Sequence, residues 1–204
     1  MLRSMSTDAP SQHATSPGIT IRPATRDDAA FLVPLVDTAG EGIPSYMWSR
    51  MAAPGQRLAE VGLSRVQGDG AAVSWRNARI AEFDGRPAGC LFAYRQPDAP
   101  EPIGADMPRM FVPLQELENE ACGTGYVYIL ATAAAFRGRG VGAALLAAAE
   151  DVRGPAGMSV IVSDGNRGAR RLYERHGYAL AASRPMVKEG WRGHGQAWLL
   201  LRKP

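Results

Sequence analysis

Cysteine and histidine are scarce in this chain, and neither is arranged for the chemistry it usually carries. Cys90 and Cys122 are two cysteines in 204 residues and lack CxxC spacing. Without a secretory context they argue against a disulfide framework. His13, His176 and His194 are scattered and form no metal-ligand pair, so no metal is implied. No apolar run approaches the roughly 18 residues that a membrane-spanning helix needs, so no membrane partner is expected. Excess charge is missing too. A net charge of +3 is too small for this length to argue for nucleic acid, and no basic face interleaved with aromatics is visible. Residues 1–18 mix Ser, Thr, Pro, Asp and His without the apolar core of a signal peptide. They read as a disordered leader to one domain over 19–204, in a cytoplasmic protein. An apolar share of 46% is enough for that domain to bury a proper core.

What is present centres on residues 126–151. Val127, Tyr128, Ile129, Leu130 and Ala131 form a nearly continuous apolar run, as in a strand covered on both faces. After Arg137-Gly138-Arg139-Gly140-Val141-Gly142 the period changes, with Val141, Leu145, Ala148 and Val152 recurring at helical spacing. A helix therefore begins at a glycine-rich turn beside two arginines. Its first N–H groups are open donors with partial positive charge, and glycine lets a bulky phosphate come close to them. This stretch is expected to hold a polyphosphate.

The flanking chain supplies the rest of a mixed fold. Residues 19–22 alternate as a first strand, and Thr25 with Asp28 resembles a capping box before a helix burying Phe31, Leu32, Leu35 and Val36. Pro44 can start a second helix carrying Tyr46, Met47 and Met51, and 58–66 can carry a third. Residues 79–83 and 87–94 around Asp84-Gly85 read as a hairpin with a tight turn. A proline-rich connection over 97–113 leads into an acidic stretch holding Glu116, Glu118 and Glu120. Residues 158–163 form a second buried strand, parallel to the one ending at Thr132 by the right-handed crossover rule. Asn166 can cap the following helix, whose inner face shows Ala169, Leu172, Tyr173 and His176. Residues 178–183 and 196–202 close the sheet as an antiparallel pair. The loop between them, 188–195, places Trp191 where it can rim a pocket.

Two segments carry a family resemblance. Arg137, Gly140 and Gly142 match an Arg/Gln-x-x-Gly-x-Gly/Ala signature; Asn166, Ala169 and Tyr173, followed by Gly177-Tyr178, match Asn-x-x-Ala-x-x-x-Tyr. In this order, joined by a strand, they resemble the GCN5-related N-acetyltransferase (GNAT) superfamily. The resemblance extends over 19–203, although the first half matches by order of elements rather than by motif. It implies an α/β (α+β) fold with a mixed, mostly antiparallel central sheet, one parallel strand pair at a splay, and flanking helices. It implies acetyl-coenzyme A as cosubstrate. Gly138, Arg139, Gly140, Val141, Gly142 and Ala143 would cradle the pyrophosphate with Arg137, while Leu130, Ala131 and Thr132 would pair with the pantetheine arm. Asn166 and Ala169 would complete the cofactor site. Tyr173 stands where the family's general acid stands, its phenol able to donate to the leaving thiolate.

The acceptor implied is a primary amine of a small molecule or peptide, and a homodimer is compatible with the resemblance. The acidic 116–120 stretch tilts the expectation toward a cationic amine. The family often places a Glu on the central strand as base, whereas here the strand carries Tyr126 and Tyr128. Glu41, Glu116 and Glu118 stay open for that role. Cys122 has no His or acid at a diagnostic offset for a covalent acetyl intermediate. Two other functions compete: a coenzyme A-binding sensor without catalysis, and a dinucleotide oxidoreductase. The latter would use Gly138-x-Gly140-x-x-Ala143 with Asp164, but a dinucleotide fold repeats its parallel crossover and here one is visible.

Overall fold

The computed structural model describes residues 18–204, so the leader expected over 1–18 lies outside the described residues apart from Gly18. That residue's carbonyl accepts from the Asp84 N–H at 2.8 Å. Seven strands form one sheet: β1 (Ile19–Pro23), β2 (Ala78–Phe83), β3 (Arg86–Arg95), β4 (Gly125–Thr132), β5 (Met158–Ser163), β6 (Ala179–Pro185) and β7 (Ala197–Lys203). Their order is β1-β2-β3-β4-β5-β7-β6. All neighbours are antiparallel except β4 and β5, which run parallel. Asp84 and Gly85 both take positive φ, 49° and 72°, which a two-residue turn needs if it is to match the twist of β2 and β3.

Two features of β4 shape everything that follows. It pairs with β5 only from Gly125 to Val127, opposite Met158 to Val160. Beyond that point the two strands part, and the ends of both point into a gap. On its other side, the register against β3 shifts between Phe92, opposite Ile129, and Ala93, opposite Val127. Tyr128 is the extra residue of a β-bulge, and a bulge bends its strand and re-aims its side chains.

Helices cover both faces. On one side lie α1 (Ala29–Ala39), α2 (Ile43–Met51), α3 (Leu58–Gln67) and α4 (Val112–Asn119); on the other lie α5 (Val141–Ala148) and α6 (Arg167–Arg175). Strand alternation divides the core accordingly. Val160, Val162, Leu199 and Leu201 pack with Val141, Leu145 and Tyr173, whereas Ile161, Trp198 and Leu200 pack toward Ile43 and Leu117. The expected cap is realised on a short 3-10 turn ahead of α1, where the Thr25 N–H donates to Asp28 Oδ2 at 2.7 Å. Helix α5 lies close on the sheet because β3 offers Gly89 beneath it. A Cβ there would meet Leu145 and Val141 at 3.0 Å and the Ala131 carbonyl at 2.6 Å.

Candidate active site

The gap between β4 and β5 opens into a cleft of about 810 Å³. Leu130, Ala131 and Thr132 of β4 form one wall. The turn before α5 contributes Arg137, Gly138, Gly140, Val141, Gly142 and Ala143, and α6 contributes Asn166, Ala169, Leu172 and Tyr173. Gly140 is the N-cap of α5 with φ 84°, a left-handed conformation that glycine adopts without strain. Its carbonyl takes the Ala144 N–H at 3.0 Å. The N–H groups of Val141, Gly142 and Ala143 precede that first helical bond, so they are the open donors of the helix end. At Gly142 a Cβ would come 3.2 Å from Leu172, with Thr132 and Leu130 next. All three neighbours line the cleft, so a side chain at this position would grow into it.

Of the two arginines in the turn, Arg137 lines the cleft. The Arg139 guanidinium lies elsewhere, over the rings of Phe83 at 5.3 Å and Phe136 at 5.9 Å, and Arg139 is not among the lining residues. In its place α6 brings Arg171 and Arg175 to the cleft, with His176 at its C-terminal end. The His176 Nδ1–H donates to the Leu172 carbonyl at 2.8 Å, a favourable use of imidazole at a helix C-terminus. Among the described residues, three arginines and no carboxylate line this cavity. Asn166 caps α6, accepting from the Ala169 N–H at 3.1 Å, while its amide nitrogen donates to Glu41 Oε1 at 3.1 Å.

Tyr173 is buried on α6 with its ring 5.7 Å from that of Tyr178, and it borders the cleft. Burial pushes its phenol well above the ordinary value, with Tyr178 adding to the effect. The hydroxyl therefore keeps its proton throughout the neutral range and can serve as a donor there.

A second cavity of about 320 Å³ lies on the α1 side of the sheet. The two cavities share Ala39, and along β4 one ends at Ile129 where the other begins at Leu130. The bulge turns Tyr128 and Ile129 to the same side, and both line the second cavity. Val36, Ile43, Val73, Phe111, Leu114 and Trp198 make it apolar, and its one charged lining residue is Glu118 of α4. Tyr94, Tyr126 and Tyr128 cluster beside that carboxylate, their ring centroids 5.6 to 6.2 Å apart.

The three carboxylates left open by the sequence now separate. Glu116 Oε2 accepts from Arg184 Nε at 2.6 Å, and Glu41 is occupied by Asn166. Glu118 faces the cavity. Burial raises its pKa to about 6, the Tyr126 phenol beside it pulls part of the way back, and the charge of Glu101 raises it further. A carboxyl group poised near neutrality can take and return a proton. Trp191 is not at the rim where it was expected. It is buried, stacked on Trp198 at 5.8 Å, with its indole N–H donating to the Glu41 carbonyl at 3.0 Å. It supports Trp198, which does line the cavity.

Thr38, Ala39, Arg171, Arg175 and His176 border the cleft without having been expected to bind there. Arg171 and Arg175, four residues apart, share one face of α6, but that face is turned about 200° from Ala169 and Tyr173. Spacing from those two residues therefore did not report them; His176 follows at the C-cap, three residues after Tyr173.

A mixed sheet whose one parallel pair splays apart beside the start of α5 defines the fold class, and a family model agrees with it. The model for the acetyltransferase (GNAT) family matches residues 56–178, which is more than half of the sequence. The protein belongs to the GNAT acetyltransferase family. No curated protein matches it by sequence. Among solved structures, it is similar to an N-acetyltransferase from Staphylococcus aureus Mu50, with TM-score 0.58, 17% identity, 89% of this chain and 98% of that chain covered. It is similar to the diaminobutyrate acetyltransferase EctA from Paenibacillus lautus, solved with L-2,4-diaminobutyric acid and coenzyme A. There the TM-score is 0.52 and the identity 16%, over 91% of this chain and 95% of that one. It is also similar to Arabidopsis thaliana Naa50, solved with the bisubstrate analogue CoA-Ac-MVNAL, at TM-score 0.51 and 15% identity, over 92% and 99%. At these identities the likeness is one of fold.

Proposed function

We propose that this acetyltransferase moves an acetyl group from acetyl-coenzyme A to a primary amine by direct attack. One observation carries the reading: a cationic cleft and a cavity with a single carboxylate meet at the point where β4 leaves β5. The cleft suits a polyanion. Arg137, Arg171 and Arg175 supply charge without a competing acid, and the open N–H groups of Val141, Gly142 and Ala143 suit a pyrophosphate. Asn166 and Ala169 hold the start of α6 in place. The stretch Leu130, Ala131 and Thr132, paired with β3 but without a strand partner on the β5 side, suits an extended amide-bearing arm. Two structural relatives contain coenzyme A or an analogue built on it.

When bound, acetyl-coenzyme A supplies a thioester, an acyl group with a thiolate as leaving group. Glu118 takes one proton from the incoming ammonium and so frees the nitrogen lone pair for the acetyl carbon. Backbone N–H near Leu130 is placed to receive the negative charge that grows on the acyl oxygen. Tyr173 would give its proton to the leaving sulfur, and the second proton shed by the nitrogen would restore the phenol. Tyr128 stands beside Glu118 and helps shape the entry.

Thermal shift and free-thiol release test this together. Acetyl-coenzyme A raises Tm in a concentration-dependent way and a nicotinamide dinucleotide does not. Tyr173→Phe lowers turnover by about ten-fold or more with little change in cofactor affinity. Unchanged turnover, with chemistry rate-limiting, removes Tyr173 from the reaction. Binding with no transfer to any amine would leave a coenzyme A sensor.

A further inference from the structure

The second cavity restricts which amine can be the acceptor. Its lining is apolar almost throughout, with Ile43, Val73, Phe111, Leu114 and Trp198 around it. Polar side chains come from Gln115, Glu118 and Tyr128, and Glu118 alone among the lining residues is charged. The nearby acids do not supply further anionic partners. Glu116 and Glu120 are both paired with Arg184, while Asp37, on the Ser45 N–H at 2.8 Å, and Glu41, on the Asn166 amide, keep their charge but are not among the lining residues. Glu101 acts on Glu118 from outside the lining.

Each class of amine meets these walls differently. A polyamine or an aminoglycoside brings several ammonium groups, of which one can pair with Glu118. The others would be stripped of water against Phe111, Leu114 or Trp198 without a counter-charge, which is strongly unfavourable. A peptide brings backbone donors and acceptors that this lining leaves largely unanswered. A single ammonium on an apolar body leaves nothing unpaired. Its charge meets Glu118, with Tyr128 lining the same cavity, and its body displaces water from apolar walls. The volume, about 320 Å³, is at the small end of ordinary ligand pockets.

We propose that the acceptor is a small primary monoamine with an aromatic or branched apolar body, its nitrogen directed at Glu118 and its body among Ile43, Phe111, Leu114 and Trp198. This rests on the acetyl-transfer reading and narrows it. The exchange is balanced as before: the nitrogen gains the acetyl carbon and loses two protons, one taken by Glu118 and one replacing the proton that Tyr173 gives the sulfur.

The test compares kcat/KM for free-thiol release with 2-phenylethylamine, isopentylamine, spermidine, kanamycin and a Met-initiated pentapeptide, on the full chain. Both monoamines should exceed the other three by about ten-fold or more, since even one methylene in an apolar pocket is worth about that factor. Leu114→Asp, which adds a second carboxylate to the wall, should lower the monoamines and raise spermidine relative to them. Its Tm shift with acetyl-coenzyme A reports whether it is folded; if it is not, the ranking in the unaltered protein decides. A best acceptor among spermidine, kanamycin and the peptide overturns this proposal while leaving acetyl transfer standing, as does an unchanged ranking in folded Leu114→Asp. No turnover with any of the five overturns the acceptor class, and absence of transfer to every other amine as well removes the reading beneath it, leaving a coenzyme A sensor where the Tm shift persists.

Discussion

Glu118 shows how one side chain converts its surroundings into a pH response. It must be a carboxylate to accept a proton, and burial holds its pKa up at about 6. Activity should therefore rise with pH through an acid limb near that value, and the limb should vanish in Glu118→Gln together with most of the turnover. The Tyr126 phenol counteracts the burial. Tyr126→Phe should then move the limb to higher pH, whereas a purely structural tyrosine would lower activity at every pH alike. Stability responds in the opposite sense. Between the ordinary carboxyl value and about 6 the unfolded chain releases a proton that folded Glu118 retains, so this residue costs stability once the pH has risen past that window. None of this was readable from the acidic stretch. Glu116 and Glu118 are two residues apart, and on a helix that spacing turns them about 200° from each other. Which of them meets Arg184 and which the cavity depends on where α4 lies against the sheet.

At the scale of elements, the start of α5 is the device we propose for holding the cofactor, and its geometry was largely legible. A strand, a glycine turn and a change of period identify a helix start from local residues alone. Gly142 tests it without disturbing the turn. Its Cβ would point at Leu172, Thr132 and Leu130, so Gly142→Leu should fill the cleft and weaken acetyl-coenzyme A binding by about ten-fold or more. Helix propensity favours leucine over glycine by up to about 1 kcal/mol, which offsets crowding at Leu172 and keeps the urea midpoint close to the original. Undiminished affinity in a folded variant would remove this helix start from the cofactor site. Arg139 marks the limit of local reading. It sits in the signature beside Arg137, yet its guanidinium packs on Phe83 and Phe136, one ring from a strand more than fifty residues earlier. No spacing rule reports that contact.

Across the whole molecule, the first strand, the second strand and the entry to α1 are joined by one charge network. Arg22 donates to Asp28 through Nη1 at 2.8 Å and Nη2 at 2.9 Å, and to Glu82 through Nε at 2.7 Å. Asp28 also accepts from Thr25. The Arg22 guanidinium holds the Asp28 carboxyl down at about 2, against the cost of its burial. A lowered carboxyl pKa gives stability that is fully present above the ordinary value and lost as the pH falls toward 2. Asp28→Ala should cost about 2 kcal/mol at neutral pH, the scale of a hydrogen bond to a charged group, measured as a lower urea midpoint at unchanged slope. The penalty should shrink in acid. A variant whose midpoint tracks the original at pH 7 would show the network to be inert.

Local chemistry determined the elements of this protein. The Asp84-Gly85 turn, the Thr25–Asp28 cap, the Asn166 cap and the glycine turn each depend on a few adjacent residues whose backbone preferences are written in the chain. The family signatures fall in such segments, which is why the sheet with its single parallel pair was readable. Tertiary packing decided what those elements present to one another. Only the early parting of β4 from β5 and the bulge at Tyr128 bring a cationic cleft on one face against an apolar cavity on the other. Only the meeting of α4 with the sheet leaves Glu118 facing that cavity while Glu116 is tied to Arg184. Those outcomes depend on residues that meet across the sheet at large separations along the chain, and periodicity along a single segment carries no record of them.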